Sequence, residues 1–124
     1  MRTSIGWSRR DSILLPALFA LSLLFAAACG GDGVGNDGDL VGGPCRDSAD
    51  CADFCVTGGD FPDGTCTTSC NSDTDCPSGT ACIDTEGGIC LLLCNFDEDC
   101  RRGYDCEDES RRGHPGDATV CIDD

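Results

Sequence analysis

The sequence predicts a small disulfide-rich fold, mostly coil with short β-hairpins, arranged as three tandem four-cysteine units. Two observations carry this. First, 12 of the 13 cysteines recur in phase: Cys45, Cys51, Cys55, Cys66; then Cys70, Cys76, Cys82, Cys90; then Cys94, Cys100, Cys106, Cys121. In each set five residues separate the first two, and three residues join each set to the next. Second, the large apolar residues after Pro44 are few: Phe54, Val56, Phe61, Ile83, Ile89, Leu91 to Leu93, Phe96, Tyr104, Val120 and Ile122. Such an inventory falls short of the ordering entropy of the chain. Covalent staples must supply the difference, each contributing roughly 2–4 kcal/mol by restricting the unfolded state.

Residues 1–28 read as a signal peptide. Arg2, Arg9 and Arg10 supply the positive start, and Ile13 to Phe25 forms an apolar core broken only by Pro16 and Ser22. That core is 13 residues long, too short for a spanning helix, although an uncleaved anchor is the competing reading. Ala26-Ala27-Ala28 then offers small side chains to a peptidase and stands directly before Cys29. Small residues before a cysteine resemble a bacterial lipobox, with Ala26 departing from the usual Leu. The resemblance implies a diacylglycerol thioether and an acylated amino group on Cys29. Setting Cys29 aside also leaves an even 12 cysteines, where an odd one in an exported chain demands an explanation. Residues 29–44 then read as the lipidated cysteine and a flexible Gly/Asp-rich tether. By resemblance to Gram-negative lipoproteins, Gly30 after the cysteine implies outer-membrane retention; an unmodified Cys29 would leave the protein periplasmic or secreted.

After residue 28 the chain carries 22 Asp and Glu against five Arg and no Lys, a charge of about −17. Such a surface repels phosphate backbones, so nucleic acid is an improbable partner. So many cysteines in an exported chain indicate disulfides. Zinc or an iron–sulfur cluster is disfavoured, because His114 is the single histidine and no Cys-x2-Cys occurs. The pattern calls for no metal and no cofactor.

The units span residues 45–66, 70–90 and 94–124. They begin Cys45-Arg-Asp-Ser-Ala-Asp50-Cys51, Cys70-Asn-Ser-Asp-Thr-Asp75-Cys76 and Cys94-Asn-Phe-Asp-Glu-Asp99-Cys100, with Asp before the second cysteine throughout. Asp47, Asn71 and Asn95 suit Asx-turns in a polar loop. Gly79 and Gly103 share one offset before the third cysteine and suit a turn with φ > 0; unit one has no such glycine. The third and fourth cysteines then fall on the two arms of a hairpin. In unit two the arms are Thr80–Asp84 and Gly88–Leu92, bent at Glu86-Gly87-Gly88; in unit three they are Tyr104–Cys106 and Thr119–Ile122, around a tip of residues 110–117. No segment from Cys45 onward keeps a helical period between its turn signals.

Residues 45–124 resemble cysteine-rich repeats of bacterial surface lipoproteins. The core Cys-x2-Asp-x-Asp-Cys-Pro-x-Gly-x2-Cys of residues 70–82 is similar to the EB and Dickkopf N-terminal cysteine-rich modules. The resemblance implies an extracellular disulfide module whose cysteines are structural, and it carries over no functional residue.

Twelve cysteines admit about ten thousand pairings, which independent units reduce to about 27. First-to-third and second-to-fourth is favoured, because a bond between the two hairpin arms would leave the polar loop untethered. The favoured pairs are Cys45–Cys55, Cys51–Cys66, Cys70–Cys82, Cys76–Cys90, Cys94–Cys106 and Cys100–Cys121; the short junctions also permit bonds across a unit boundary.

Three features are candidates for contact with a partner. Leu91-Leu92-Leu93 is the longest apolar run after the signal peptide; it either packs units two and three together or forms an exposed docking strip. In a strand Leu91 and Leu93 would share one face. Arg111-Arg112, with His114, is the basic patch of an acidic chain: a solvated loop, a docking point for an anionic group, or a partner of the acidic loops of units one and two. The clusters Asp73/Asp75 and Asp97/Glu98/Asp99 read as solvated turn carboxylates rather than as a calcium loop, for no Asp-x-Asp-x-Asp-Gly occurs. With no evident nucleophile and no cleft to hold two carboxylates, enzymatic function is not expected. The expectation is a non-enzymatic envelope lipoprotein, held to the membrane by its N-terminal lipid. It would display disulfide-stapled modules for structural or adhesive roles, or to recognise a protein or glycan at the cell surface. The other reading is a protease-inhibitor-like or toxin-like module presenting Arg111 or Arg112.

Overall fold

A computed structural model of the chain describes residues 33–123. The signal peptide expected over residues 1–28, and Cys29, lie outside the described residues. The fold is small and disulfide-rich, mostly coil with three short antiparallel hairpins: β1 (Phe54–Gly58) with β2 (Phe61–Thr67), β3 (Thr80–Ile83) with β4 (Ile89–Leu92), and β5 (Asp105–Ser110) with β6 (Asp117–Ile122). Before each hairpin the polar loop makes a single 3₁₀ turn, at Ser48–Asp50, Asp73–Asp75 and Asp97–Asp99. The absence of helical periodicity gave no sign of these one-turn elements, which side-chain acceptors hold rather than an apolar stripe.

Six disulfides join Cys45 to Cys55, Cys51 to Cys66, Cys70 to Cys82, Cys76 to Cys90, Cys94 to Cys106 and Cys100 to Cys121. Each set of four is thus closed on itself, first to third and second to fourth. The hairpin cysteines lie directly opposite one another in register, Cys55 with Cys66, Cys82 with Cys90 and Cys106 with Cys121. Each nevertheless bonds back to its loop. The staples therefore fasten loop to sheet.

The repeated polar residues act as caps. Asp50, Asp75 and Asp99 each turn a carboxylate oxygen back to the main-chain N–H of the residue after the first cysteine: Arg46 at 2.8 Å, Asn71 at 2.8 Å and Asn95 at 2.9 Å. A second acceptor, three residues after that first cysteine, takes the N–H of the third cysteine. Asp73 binds Cys82 at 2.9 Å, Asp97 binds Cys106 at 2.9 Å, and in unit one the Ser48 hydroxyl binds Cys55 at 3.1 Å. Asp47 makes the expected Asx-turn to Ala49 at 2.9 Å. Asn71 and Asn95 differ: their main-chain N–H groups are the capped donors. Gly79 and Gly103 have φ of 88° and 91°, the left-handed turn conformation anticipated for them.

The units share one core. Val56 and Phe61 of unit one, Ala81, Ile83, Ile89 and Leu91 of unit two, and Tyr104, Ala118, Val120 and Ile122 of unit three are buried in a single cluster. Main-chain bonds stitch the junctions: Cys90 N–H to Thr68 O at 3.1 Å, Cys94 N–H to Thr119 O at 3.1 Å, Asp84 N–H to Ser110 O at 2.8 Å and Asp123 N–H to Asp60 O at 3.0 Å. The sparse apolar residues that could not furnish three cores suffice for one, because every hairpin turns its apolar face inward to the same place.

The tether expected over residues 29–44 does not extend through Gly33–Pro44. Val41 is fully buried, in a second cluster with Cys70, Cys82 and Cys90. Gly42 N–H donates to Cys66 O at 2.9 Å, and Cys66 N–H donates to Gly43 O at 2.8 Å. Glycine here allows close main-chain packing rather than flexibility. A Cβ on Gly42 would meet Gly35 O at 2.3 Å and Leu92 Cδ1 at 2.6 Å.

Candidate functional site

The two arginines of the unit-three tip emerge from a turn between β5 and β6, and both are committed to unit two. Arg111 pairs with Asp73 through its guanidinium, with both side chains partly buried. Arg112 reaches Asp84 at 3.0 Å, and its N–H donates to Cys82 O at 2.9 Å. Main-chain pairing of Ile83 with Arg111 draws the tip onto β3. Pairing with an acidic loop holds for Arg111, through Asp73 of unit two, whereas Arg112 and Asp84 form an exposed pair at the unit-two hairpin bend. The Asp73 carboxylate thereby serves two groups, the Cys82 N–H and the Arg111 guanidinium, while its main-chain carbonyl accepts the Cys76 N–H of the 3₁₀ turn. The Cys82 N–H foremost, aided by Arg111 against the opposing effect of burial, holds its carboxyl below the usual range. Main-chain N–H donors likewise lower Asp50 and Asp99.

The leucine run divides. Leu91 lies in the shared core, Leu92 is partly buried where the two apolar clusters meet, and Leu93 is 47% exposed. Leu91 and Leu93 differ in burial because β4 ends at Leu92, and Leu93 beyond it makes an isolated bridge to Val120. Packing between units two and three therefore claims Leu91. Leu93 and Phe96, the latter 65% exposed, flank Cys94 and are the exposed large apolar side chains among the described residues.

Sequence reasoning missed the polar junction built on Arg101 and Tyr104. Arg101 occupies the position that Pro77 holds in unit two, just after the second cysteine. Its Nε donates to Gly42 O at 3.0 Å, one terminal nitrogen donates to Gly64 O, and its Cζ lies 4.3 Å from the centre of the Tyr104 ring. The Tyr104 hydroxyl donates to Pro62 O at 3.0 Å. Burial pushes the Tyr104 hydroxyl above its usual range, against the opposing charge of Arg101. Asp63 and Gly64 both have positive φ, 64° and 71°, which kinks β2 so that the Gly64 carbonyl faces Arg101. One guanidinium thus ties unit three to unit one and to the N-terminal segment. The one available signal was the single tyrosine of the chain lying three residues from an arginine.

Chemically, these groups bind the protein to itself. Cysteine sulfurs crowd together in each unit, within 4.8 Å for Cys70, Cys76 and Cys90, but each is spent in a disulfide and has no thiolate to offer a metal. The outward surface is acidic turn and hairpin, with Leu93 and Phe96 as its large apolar points. Comparison of the chain with known protein families, with curated proteins and with solved structures returned no match.

Proposed function

We propose that the chain is a non-enzymatic lipoprotein of the cell envelope, anchored through Cys29 to the outer membrane, with the three disulfide units as its displayed part. One observation carries the reading. All 12 cysteines from Cys45 to Cys121 are bonded among themselves, so Cys29 has no partner left within the chain. A cysteine directly after an export signal and Ala26-Ala27-Ala28, outside the disulfide system, is placed for acylation. More than one acyl chain gives stable anchoring where a single chain is marginal. The displayed body then serves a structural, adhesive or recognition role toward a protein or glycan at the cell surface. The resemblance of residues 70–82 to EB and Dickkopf N-terminal modules belongs to this same reading, and it carries over no functional residue.

The protease-inhibitor or toxin-like alternative needs an unengaged basic tip, and Arg111 and Arg112 are engaged by Asp73 and Asp84. Detergent-phase partitioning tests the lipoprotein reading. The wild-type protein should enter the detergent phase and Cys29→Ser should stay in water. An intact mass showing unmodified Cys29 on the mature protein would sink it.

A further inference from the structure

Cys29 and the folded body are separated by only Gly30, Gly31 and Asp32, since Gly33 already belongs to the body. Gly33 O accepts Leu40 N–H at 2.9 Å and Val41 N–H at 3.0 Å, and Gly43 N–H donates to Gly38 O at 2.8 Å. The loop so formed is fastened at three further points. Asn36 Nδ2 donates to Asp99 O at 2.8 Å, Ala52 N–H donates to Asp39 O at 2.7 Å, and Val41 is fully buried. A residue of extended chain spans at most about 3.3–3.6 Å, so Gly33 lies within about 14 Å of Cys29. Had the whole segment to Cys45 been free, the same reach would be about 55 Å. A folded body of this length has a radius of gyration of about 12 Å. The leash is therefore about as long as the body's own radius.

Resting on the lipid anchor proposed above, we propose that the body is held flush against the phospholipid headgroups, with the loop Gly33–Leu40 as its membrane-facing surface. The headgroup layer occupies about 5–7 Å of each leaflet, which takes up part of the leash. The facing loop exposes Asp37 and Asp39. Anionic lipid repels it over a screening length of about 8 Å at physiological salt. Repulsion can move the body only to the end of the leash, so charge tunes a gap whose upper limit the chain sets. The hairpins, and with them Leu93 and Phe96, are displayed at the membrane surface rather than on a stalk.

Neutron reflectometry on the acylated full-length mature protein in a phosphatidylcholine bilayer tests this. Protein density should begin with a water layer under about 9 Å above the headgroups, the reach left once the headgroup layer is crossed, and replacing a third of the lipid with phosphatidylglycerol should not exceed that limit. Inserting 20 Gly/Ser residues between Gly31 and Asp32 should widen the gap by about 25 Å. Intact mass of the same sample reports acylation at Cys29. An acylated protein that stands off further than the limit, or one that the insertion does not move, overturns the flush placement while the anchor reading survives. An unmodified Cys29 overturns both.

Discussion

The hairpins of units two and three carry the same pair of staples and differ in burial. Every residue of β3 is buried, as are Ile89 to Leu91 of β4, whereas no residue of β5 is buried and β6 alternates through exposed Asp117 and Thr119. The sequences record the contrast: Thr80-Ala-Cys-Ile83 and Ile89-Cys-Leu-Leu92 are nearly continuous apolar runs, and Asp105-Cys-Glu-Asp-Glu-Ser110 is nearly continuous charge. A run apolar on both faces belongs to a strand covered on both sides, and an alternating one to a strand that covers something else. Unit two is thus the centre of the molecule and unit three its flank. The covalent repeat sets the local frame; position in the assembly sets how much apolar surface each unit must carry.

The largest test of that comparison is to remove the flank. Truncation after Cys90 deletes the strands and side chains that bury Ile83 and Ile89. The oxidised fragment should bind a hydrophobic dye and lose dispersion in its amide spectrum, where independent units would keep both unchanged. Within the intact chain, Ile83→Ala should cost about 2–4 kcal/mol by denaturant titration without reductant. Glu107→Ala on β5 should stay within about 0.5 kcal/mol. Equal losses at the two sites would erase the distinction between centre and flank.

A smaller effect is expected at the joint between unit three and the rest. Arg101→Ala removes the side-chain donor to Gly42 O and one of the two donors to Gly64 O, the other being the Tyr104 hydroxyl, and uncovers the Tyr104 ring. It should lower stability by about 1–3 kcal/mol, with faster hydrogen exchange at Gly42 and Cys66 and little change inside β3. Unchanged protection at Gly42 would show that the joint does not depend on the guanidinium.

The smallest effect, common to all three units, is acid loosening of the loops. Asp50, Asp73 and Asp99 have carboxyls lowered in the folded state by the N–H groups they accept. Their contribution is therefore fully present above the unfolded value near pH 4, about 3.9, and is lost as pH falls through the lower folded values. Below that range the amides of Arg46, Cys82 and Asn95 should exchange faster while the disulfide-bound strands remain. Exchange at these amides that stays flat down to pH 2, once corrected for intrinsic rates, would show that the caps add nothing to the loops.

Cysteine spacing together with turn residues placed a hairpin in each unit and favoured first-to-third and second-to-fourth staples, with bonds across the short junctions left open. All of these join residues no more than 21 apart in the chain, where spacing and turn chemistry leave few alternatives. The repeated Asp before each second cysteine was visible too, although its work as an acceptor three or four residues back became clear only with the turn in place. Tertiary structure alone decided the rest. Asn36 reaches Asp99 across 63 residues, Arg101 reaches Gly42 across 59, and Arg111 meets Asp73 across 38. A Gly/Asp-rich stretch has the composition of a linker, and nothing local distinguishes one that stays free from one whose bare main chain fits a groove between other units. Such contacts depend on how the finished hairpins lie against one another, which is settled by burying one common apolar face and is written in no short segment of the chain.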